Sequence, residues 1–333
     1  MSTRQPGQKP VDASTATGRR PQQLVYGCMG LGGSWDPTPY SPADVDQAEA
    51  AVHAALDTGI TVFDHADIYR SGKSEAVFGQ VLAHDRALRG RLKIQTKCGI
   101  RLGDAGLAVH YDLSAAAVRR RVEESLIRLG VDHVDTLLLH RPDPLTDVAE
   151  TADALVALQD EGLVGAVGVS NMAAPQMTAL QRHLRTRLAV DQLELSLAKR
   201  DWLETEIGVN GGQSVGSAFV AGTLEHCAEA GITVQAWSPL ARGAYSGSSS
   251  ADASPAELAT TTLVRRLADD LGTEPEAVVL GWLMKHPAAV DPVIGTTNPE
   301  RIRACADAGR VAAALSRTDW YALLVAARGL DLP

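Results

Sequence analysis

The chain has 333 residues, 45% of them hydrophobic and 21% charged, with a formal net charge of -9 and a pI near 5.5. This balance suits a soluble globular protein with a sizeable core, and its acidity argues against a dedicated binder of nucleic acid or anionic membrane. No apolar run approaches the ~18 residues that span a bilayer.

Residues 1–22 are rich in Gly, Pro, Gln, Ser, Thr and Arg, with no hydrophobic period and no apolar segment of a secretory signal. They read as a disordered N-terminal tail ahead of a single domain over 23–333. Cys28, Cys98, Cys227 and Cys305 are scattered without CxxC spacing, as expected of reduced thiols in a cytoplasmic protein. From Leu24 onward, short apolar runs alternate with segments of helical period. The first helix is predicted from Ser41 as cap, with Pro42 in the first turn, Asp44 completing a capping box, and Gly59 as stop. Val45, Ala48, Val52, Ala55 and Leu56 form its apolar face. A second helix runs from Ser114 to Gly130 on Val118, Val122, Leu126 and Leu129, and a third from about Asp147 to Gly162.

The predicted strands are Leu24–Met29, Ile60–Asp64, Leu92–Lys97, Val134–His140, Val164–Ser170, Leu188–Leu195, Ile232–Ser238 and Val290–Gly295. Eight alternating units point to a (β/α)8 TIM barrel in the α/β class, ahead of a doubly wound sheet. An open sheet would carry Gly-x-Gly-x-x-Gly where the first helix opens. The Gly-rich stretch Gly27–Trp35 instead runs on through Asp36-Pro37-Thr38-Pro39. Two long stretches, 199–217 and 241–255, follow strands and overhang the same mouth. The first is a candidate pocket wall and the second a candidate lid.

Asp64, Lys97 and His140 end three of the strands, and Tyr69 lies one short loop beyond the first. In a parallel barrel these ends converge at the mouth where such folds do chemistry. A phenol has an unperturbed pKa near ~10, which a neighbouring ammonium lowers. Lys97 is positioned to do this to Tyr69, Asp64 to keep Lys97 charged, and His140 to orient an oxygen beside Tyr69. The set would protonate and stabilise a developing alkoxide. None of the four donates electrons, so a reduction requires a hydride from a cofactor. Singly, each residue has a plainer reading: Asp64 as a helix cap, Tyr69 as packing, Lys97 as a surface charge, His140 as a turn residue. The plain reading of all four together needs four coincidences.

The stretches Gly59–Tyr69 (GITVFDHADIY), Lys93–Gly99 (KIQTKCG), Leu137–Pro144 (LLLHRPDP), Gly168–Asn171 (GVSN), Ala236–Leu240 (AWSPL) and Val293–Arg301 (VIGTTNPER) resemble the aldo-keto reductases, in family order from residue 24 to about 310. HADIY and HRPDP look most like a bacterial oxidoreductase branch. The resemblance implies an NAD(P)H-dependent carbonyl reductase with Tyr69 as general acid/base, Lys97 and Asp64 tuning it, and His140 orienting the substrate. It further implies Ser170, Asn171 and Gln192 at the nicotinamide carboxamide, and Trp237 stacked on the nicotinamide. Gly30, Leu31, Ser238, Leu240 and Gly243 would lie along the cofactor, and Gly295, Thr296 and Arg301 at its adenosine phosphate. Thr297 and Asn298 are neutral where NADPH-preferring members often carry a cation, and Ala304-Cys305 replaces a Glu-Asn pair at the adenine. Arg301 remains as a bidentate phosphate ligand, so NADPH is expected over NADH.

Trp35, Tyr40, Tyr111 and Trp202 lie on loops after strands and are candidate substrate walls. His65 and Asp67 lack further ligands for a metal, so no metal site is expected. Arg119-Arg120-Arg121 reads as a solvated helix face, and Cys98 as packed outside the barrel. The expected partner is a small carbonyl compound, and the chain a monomer or small homo-oligomer. Two rival readings are a cofactor-binding regulatory protein with little turnover and a Schiff-base lyase using Lys97.

Overall fold

The computed structural model describes residues 22–103, 106, 108–208, 218–247 and 252–333. The expected tail therefore lies outside the described residues except for Gln22. That side chain is tied to the domain, since its Nε2 donates to the carbonyls of Met284 (2.5 Å) and Val290 (3.3 Å). Residues 209–217 and 248–251, within the two long stretches, are likewise outside.

Eight parallel strands close a barrel in chain order: β1 Val25–Gly27, β2 Val62–Asp64, β3 Lys93–Cys98, β4 Val134–Leu139, β5 Val164–Ser170, β6 Val190–Glu194, β7 Thr233–Trp237 and β8 Asp291–Ile294. The helices outside it are α1 Pro42–Asp57, α2 Lys73–His84, α3 Ala115–Leu129, α4 Val148–Asp160, α5 Ala174–Gln181, α6 Asp201–Ile207, α7 Thr223–Ala230, α8 Pro255–Leu271, α9 Pro275–Met284, α10 Pro299–Arg303, α11 Ala308–Ala314 and α12 Arg317–Arg328. β1 ends earlier than Met29 because Cys28–Gly30 tighten into a 3-10 turn. A hairpin of Ile100–Arg101 and His110–Tyr111 follows β3, and strands this short leave too little alternation to be read in sequence.

The predicted caps form. At Ser41 the N–H donates to Asp44 Oδ2 at 2.7 Å, and the hydroxyl accepts from the Asp44 N–H at 3.4 Å. Gly130 ends α3 at φ 64°, a conformation that costs glycine nothing. Gly79 serves packing instead. A Cβ there would lie 2.4 Å from the Arg128 carbonyl oxygen, so its absence lets α2 close against the end of α3.

Strand alternation separates two interiors. Tyr26, Phe63 and Ile94 turn outward and are fully buried under the helices, with Phe63 between the rings of Tyr26 (5.6 Å) and Phe78 (5.5 Å). Val25, Val62 and Val293 are in register and meet in a small cluster of their own, an apolar plug inside the barrel. Two residues further along β2, and so on the same inward face, stands Asp64.

Candidate active site

Asp64 closes β2 and Lys97 is the fifth residue of β3, both turned inward by alternation. Lys97 Nζ donates to Asp64 Oδ2 at 2.6 Å, to the His65 carbonyl at 2.9 Å and to Tyr69 Oη at 3.0 Å. Asp64 and Lys97 are 2% and 1% exposed, so the ion pair is sealed from water. Burial drives the Lys97 pKa down, but the Asp64 carboxylate and the Tyr69 oxygen more than offset it, and the net shift is upward. Tyr69 shows the reverse balance. Burial raises the phenol, and Lys97 opposes this without cancelling it, so the expected lowering is present as a contribution but not as the net result. The phenol is therefore a neutral donor at pH 7.

His140 follows β4, its N–H held by the Cys98 carbonyl at 2.8 Å. Its ring stands edge-on to Tyr69, with centroids 6.1 Å apart at 82°. Burial, and then the charges of Lys97 and Arg141, push its pKa well below the ordinary histidine value, leaving a neutral imidazole. Its Nδ1 is buried without a hydrogen-bond partner among the described residues.

A layer that sequence reasoning missed lies beneath the ion pair. Gln95 Nε2 donates to Asp64 Oδ1 (2.5 Å) and to Gln235 Oε1 (2.8 Å), and Gln192 Nε2 also donates to Gln235 Oε1 (2.9 Å). The Gln235 Nε2 returns a bond to Gln95 Oε1 at 3.2 Å. Two buried glutamines, Gln235 and Gln95, thus connect Gln192 to Asp64 across the barrel. The available signal was periodicity, since Gln95 and Gln235 each stand two residues before an inward candidate, Lys97 and Trp237.

The expected carboxamide-binding residues meet at the ends of β5, β6 and β7. Asn171 Nδ2 donates to Ser170 Oγ (2.8 Å) and to the His140 carbonyl (3.4 Å), and Trp237 Nε1 donates to Asn171 Oδ1 (3.1 Å). The Ser170 hydroxyl donates to the Gln192 carbonyl at 2.8 Å. Asn171 and Ser238 hold left-handed backbones, φ 57° and 52°, and Gly243 follows at φ 84°. Leu240 packs half-buried against the core. A Cβ on Gly295 would meet nothing within 4 Å, whereas one on Gly30 would lie 3.0 Å from Thr297 Cγ2. These residues fit a nicotinamide nucleotide: an amide-matched donor and acceptor set, an indole beside it, and a groove lined by glycine. Thr296 accepts from the Tyr26 hydroxyl at 3.1 Å through its carbonyl, and its Oγ1 accepts from the Asn298 N–H at 3.2 Å. The Arg301 guanidinium, 44% exposed, reaches Glu276 only at 3.9 Å and is not committed to it.

Several expectations are corrected. Leu31 is fully buried, its side chain in the core and its N–H donating to the Cys28 carbonyl at 3.0 Å, so a cofactor contact there would be through its main chain. Trp202 is 1% exposed and lines no substrate pocket. Its ring packs edge-on against Trp282 (6.0 Å) and His286 (4.8 Å), because α6 folds back onto α9. Trp35 and Tyr111 are 44% and 41% exposed, and Tyr40 packs half-buried against the core. Arg121 also departs from the solvated face kept by Arg119 and Arg120. It turns inward to 3.6 Å from Asp67, whose buried carboxyl is pushed up to about 7, chiefly by burial. His65, too, is fully buried, with its ring 4.5 Å edge-on to Phe78. Cys98 is buried and its thiol pushed well up by that burial, which makes it a poor nucleophile.

The model of the Aldo/keto reductase family matches residues 23–323. A 6-dehydroglucose reductase of Agrobacterium fabrum is 38% identical over 93% of this chain and 95% of its own. A glycerol dehydrogenase of Gluconobacter oxydans superposes with a TM-score of 0.75 at 25% identity, covering 91% of each chain. An aldo/keto reductase of Klebsiella pneumoniae in complex with NADP and acetate gives 0.68 at 26% identity, over 90% of this chain and 89% of its own. The chain belongs to the aldo/keto reductase family, and its reaction class is the NAD(P)H-dependent reduction of a carbonyl group.

Proposed function

We propose that the protein reduces an aldehyde or ketone to an alcohol with NADPH, and that Tyr69 delivers the proton. The observation that carries this reading is the chain of contacts Asp64–Lys97–Tyr69, at 2.6 and 3.0 Å, with the ion pair buried beneath a half-buried phenol. A neutral phenol backed by a fixed ammonium is a proton donor whose anion is stabilised as it forms. The cofactor supplies the hydride. Ser170, Asn171 and Gln192 orient its carboxamide, Trp237 faces its ring, and Arg301 meets its phosphate. Neutral His140 donates to the substrate oxygen, since burial first, and then the charges of Lys97 and Arg141, keep a second proton off it. A Schiff base on Lys97 requires a neutral amine, which Asp64 opposes.

The relatives named for 6-dehydroglucose and glycerol support a polar, hydroxylated carbonyl compound over a purely apolar one. The four cysteines are free and buried, which suits the reducing cytoplasm. No helix among the described residues is long and apolar enough to cross a membrane. The net charge of -9 supports neither nucleic acid nor anionic lipid as a partner, and the protein acts as a monomer or small homo-oligomer. Replacing Tyr69 by Phe should lower kcat by about 10²–10⁴-fold, the usual worth of a general acid, while NADPH still quenches tryptophan emission. Full activity in Tyr69→Phe would overturn the mechanism.

A further inference from the structure

Directly after Tyr69 the backbone does something costly. Arg70 (φ 51°, ψ 36°) and Ser71 (φ 58°, ψ 38°) are both left-handed, followed by Gly72 at φ 88°. Two consecutive non-glycine residues in this region carry backbone strain, and such strain gathers at functional sites. The conformation has a visible result. It directs the Arg70 side chain back over the loop after β1, where Nε donates to the Met29 carbonyl at 3.1 Å. The guanidinium carbon then lies 5.3 Å from the centre of the Trp35 ring.

Two attachments leave the working end of the group free. Nε is used and the cation rests on an indole, but neither terminal nitrogen makes a hydrogen bond or ion pair among the described residues. An anchored guanidinium with an open fork is the geometry that recognises a carboxylate in two parallel bonds. The wall beneath it is fixed as well. Lys73 Nζ donates to the carbonyls of Asp36 (2.9 Å) and Thr38 (2.8 Å), pinning the loop that bears Trp35. The Asp36 carboxylate is itself taken up by Thr38 and Ser34. A second arginine, Arg141, follows His140 as Arg70 follows Tyr69, close enough for its charge to depress the imidazole. Two arginines thus directly follow two residues of the tetrad in a protein whose net charge is -9.

We infer that Arg70, held on Trp35, is a specificity residue that selects carbonyl substrates bearing an anionic group, a carboxylate or its like. This rests on the reductase reading above and narrows its substrate class. The anion meets the terminal nitrogens of Arg70 while the carbonyl oxygen lies between Tyr69 and His140.

The test uses a matched pair of aldehydes, 4-carboxybenzaldehyde and its neutral methyl ester, with NADPH. The expected result is a kcat/KM ratio favouring the acid by about tenfold, the worth of one charged hydrogen bond, and falling with salt. In Arg70→Gln the ratio should collapse towards unity through KM of the acid. Arg70→Gly removes the guanidinium and also relieves the left-handed strain, so it should lose the same preference while melting no lower than the parent. That separates lost recognition from damaged folding. An unchanged ratio in both variants overturns the inference. So does an equal loss on both aldehydes with weakened NADPH binding, which would place the cofactor's phosphates at Arg70. Turnover of neither aldehyde by the parent protein would instead overturn the reductase reading, and this inference with it.

Discussion

The buried pair Asp64–Lys97 gives the sharpest test of how the site is held. Both side chains are essentially sealed from water, so removing one partner leaves an uncompensated buried charge, a loss of about 3–5 kcal/mol. The lower end is expected. In Asp64→Asn, Lys97 Nζ keeps its bonds to the His65 carbonyl and Tyr69 Oη, and in Lys97→Met, Asp64 Oδ1 keeps its bond from Gln95. Each single variant should therefore lose about 3 kcal/mol at pH 7. The double variant leaves no buried charge and should fall short of the sum by about 2–3 kcal/mol, the coupling of a contacting pair. Urea unfolding followed by far-ultraviolet circular dichroism reads all three against the parent. The sign with pH is also fixed. Lys97 is raised above its ordinary 10.5, so the stabilisation is present below that pH and is lost as pH rises through the folded value. Single variants whose losses simply add, within about 0.5 kcal/mol, would refute the pairing as the force that holds the lysine.

Other consequences follow from particular contacts. Gly79→Ala places a Cβ 2.4 Å from the Arg128 carbonyl, a backbone atom that cannot swing aside, so stability should fall by about 1–3 kcal/mol in denaturant titration. Asp67 is raised to about 7 in the folded protein against 3.8. The folded state then holds the extra proton, and stability falls as pH rises from about 4 to 7. Asp67→Asn should lose that slope relative to the parent, and parallel profiles would contradict it. Trp202→Ala should cost about 3–5 kcal/mol in thermal or urea unfolding yet leave KM unchanged, because the ring packs on Trp282 and His286 away from the mouth. A raised KM without lost stability would return it to the substrate wall.

The order of elements was legible because each left a local mark. β5, Val164–Ser170, was read residue for residue, since Gly162 and the loop after Ser170 bound an apolar run on both sides. α1 was legible through Ser41, Pro42 and Asp44, whose capping is decided by neighbours within one turn. The polar strand ends were likewise visible, because a polar residue after an apolar run at a fixed alternation can face only one of two ways. Where those ends meet, and with what, belongs to the tertiary structure. Closure of the barrel sets Lys97 on both Asp64 and Tyr69, residues 33 and 28 positions away. It joins Gln95 to Gln235 across 140 residues and takes Trp202 out of the mouth it adjoins in sequence. The net direction of the Tyr69 shift was also beyond sequence, for the Lys97 charge could be foreseen but the burial that outweighs it could not. Local chemistry reads out along the chain, whereas distance, burial and the choice between two competing fields exist only after the strands have closed.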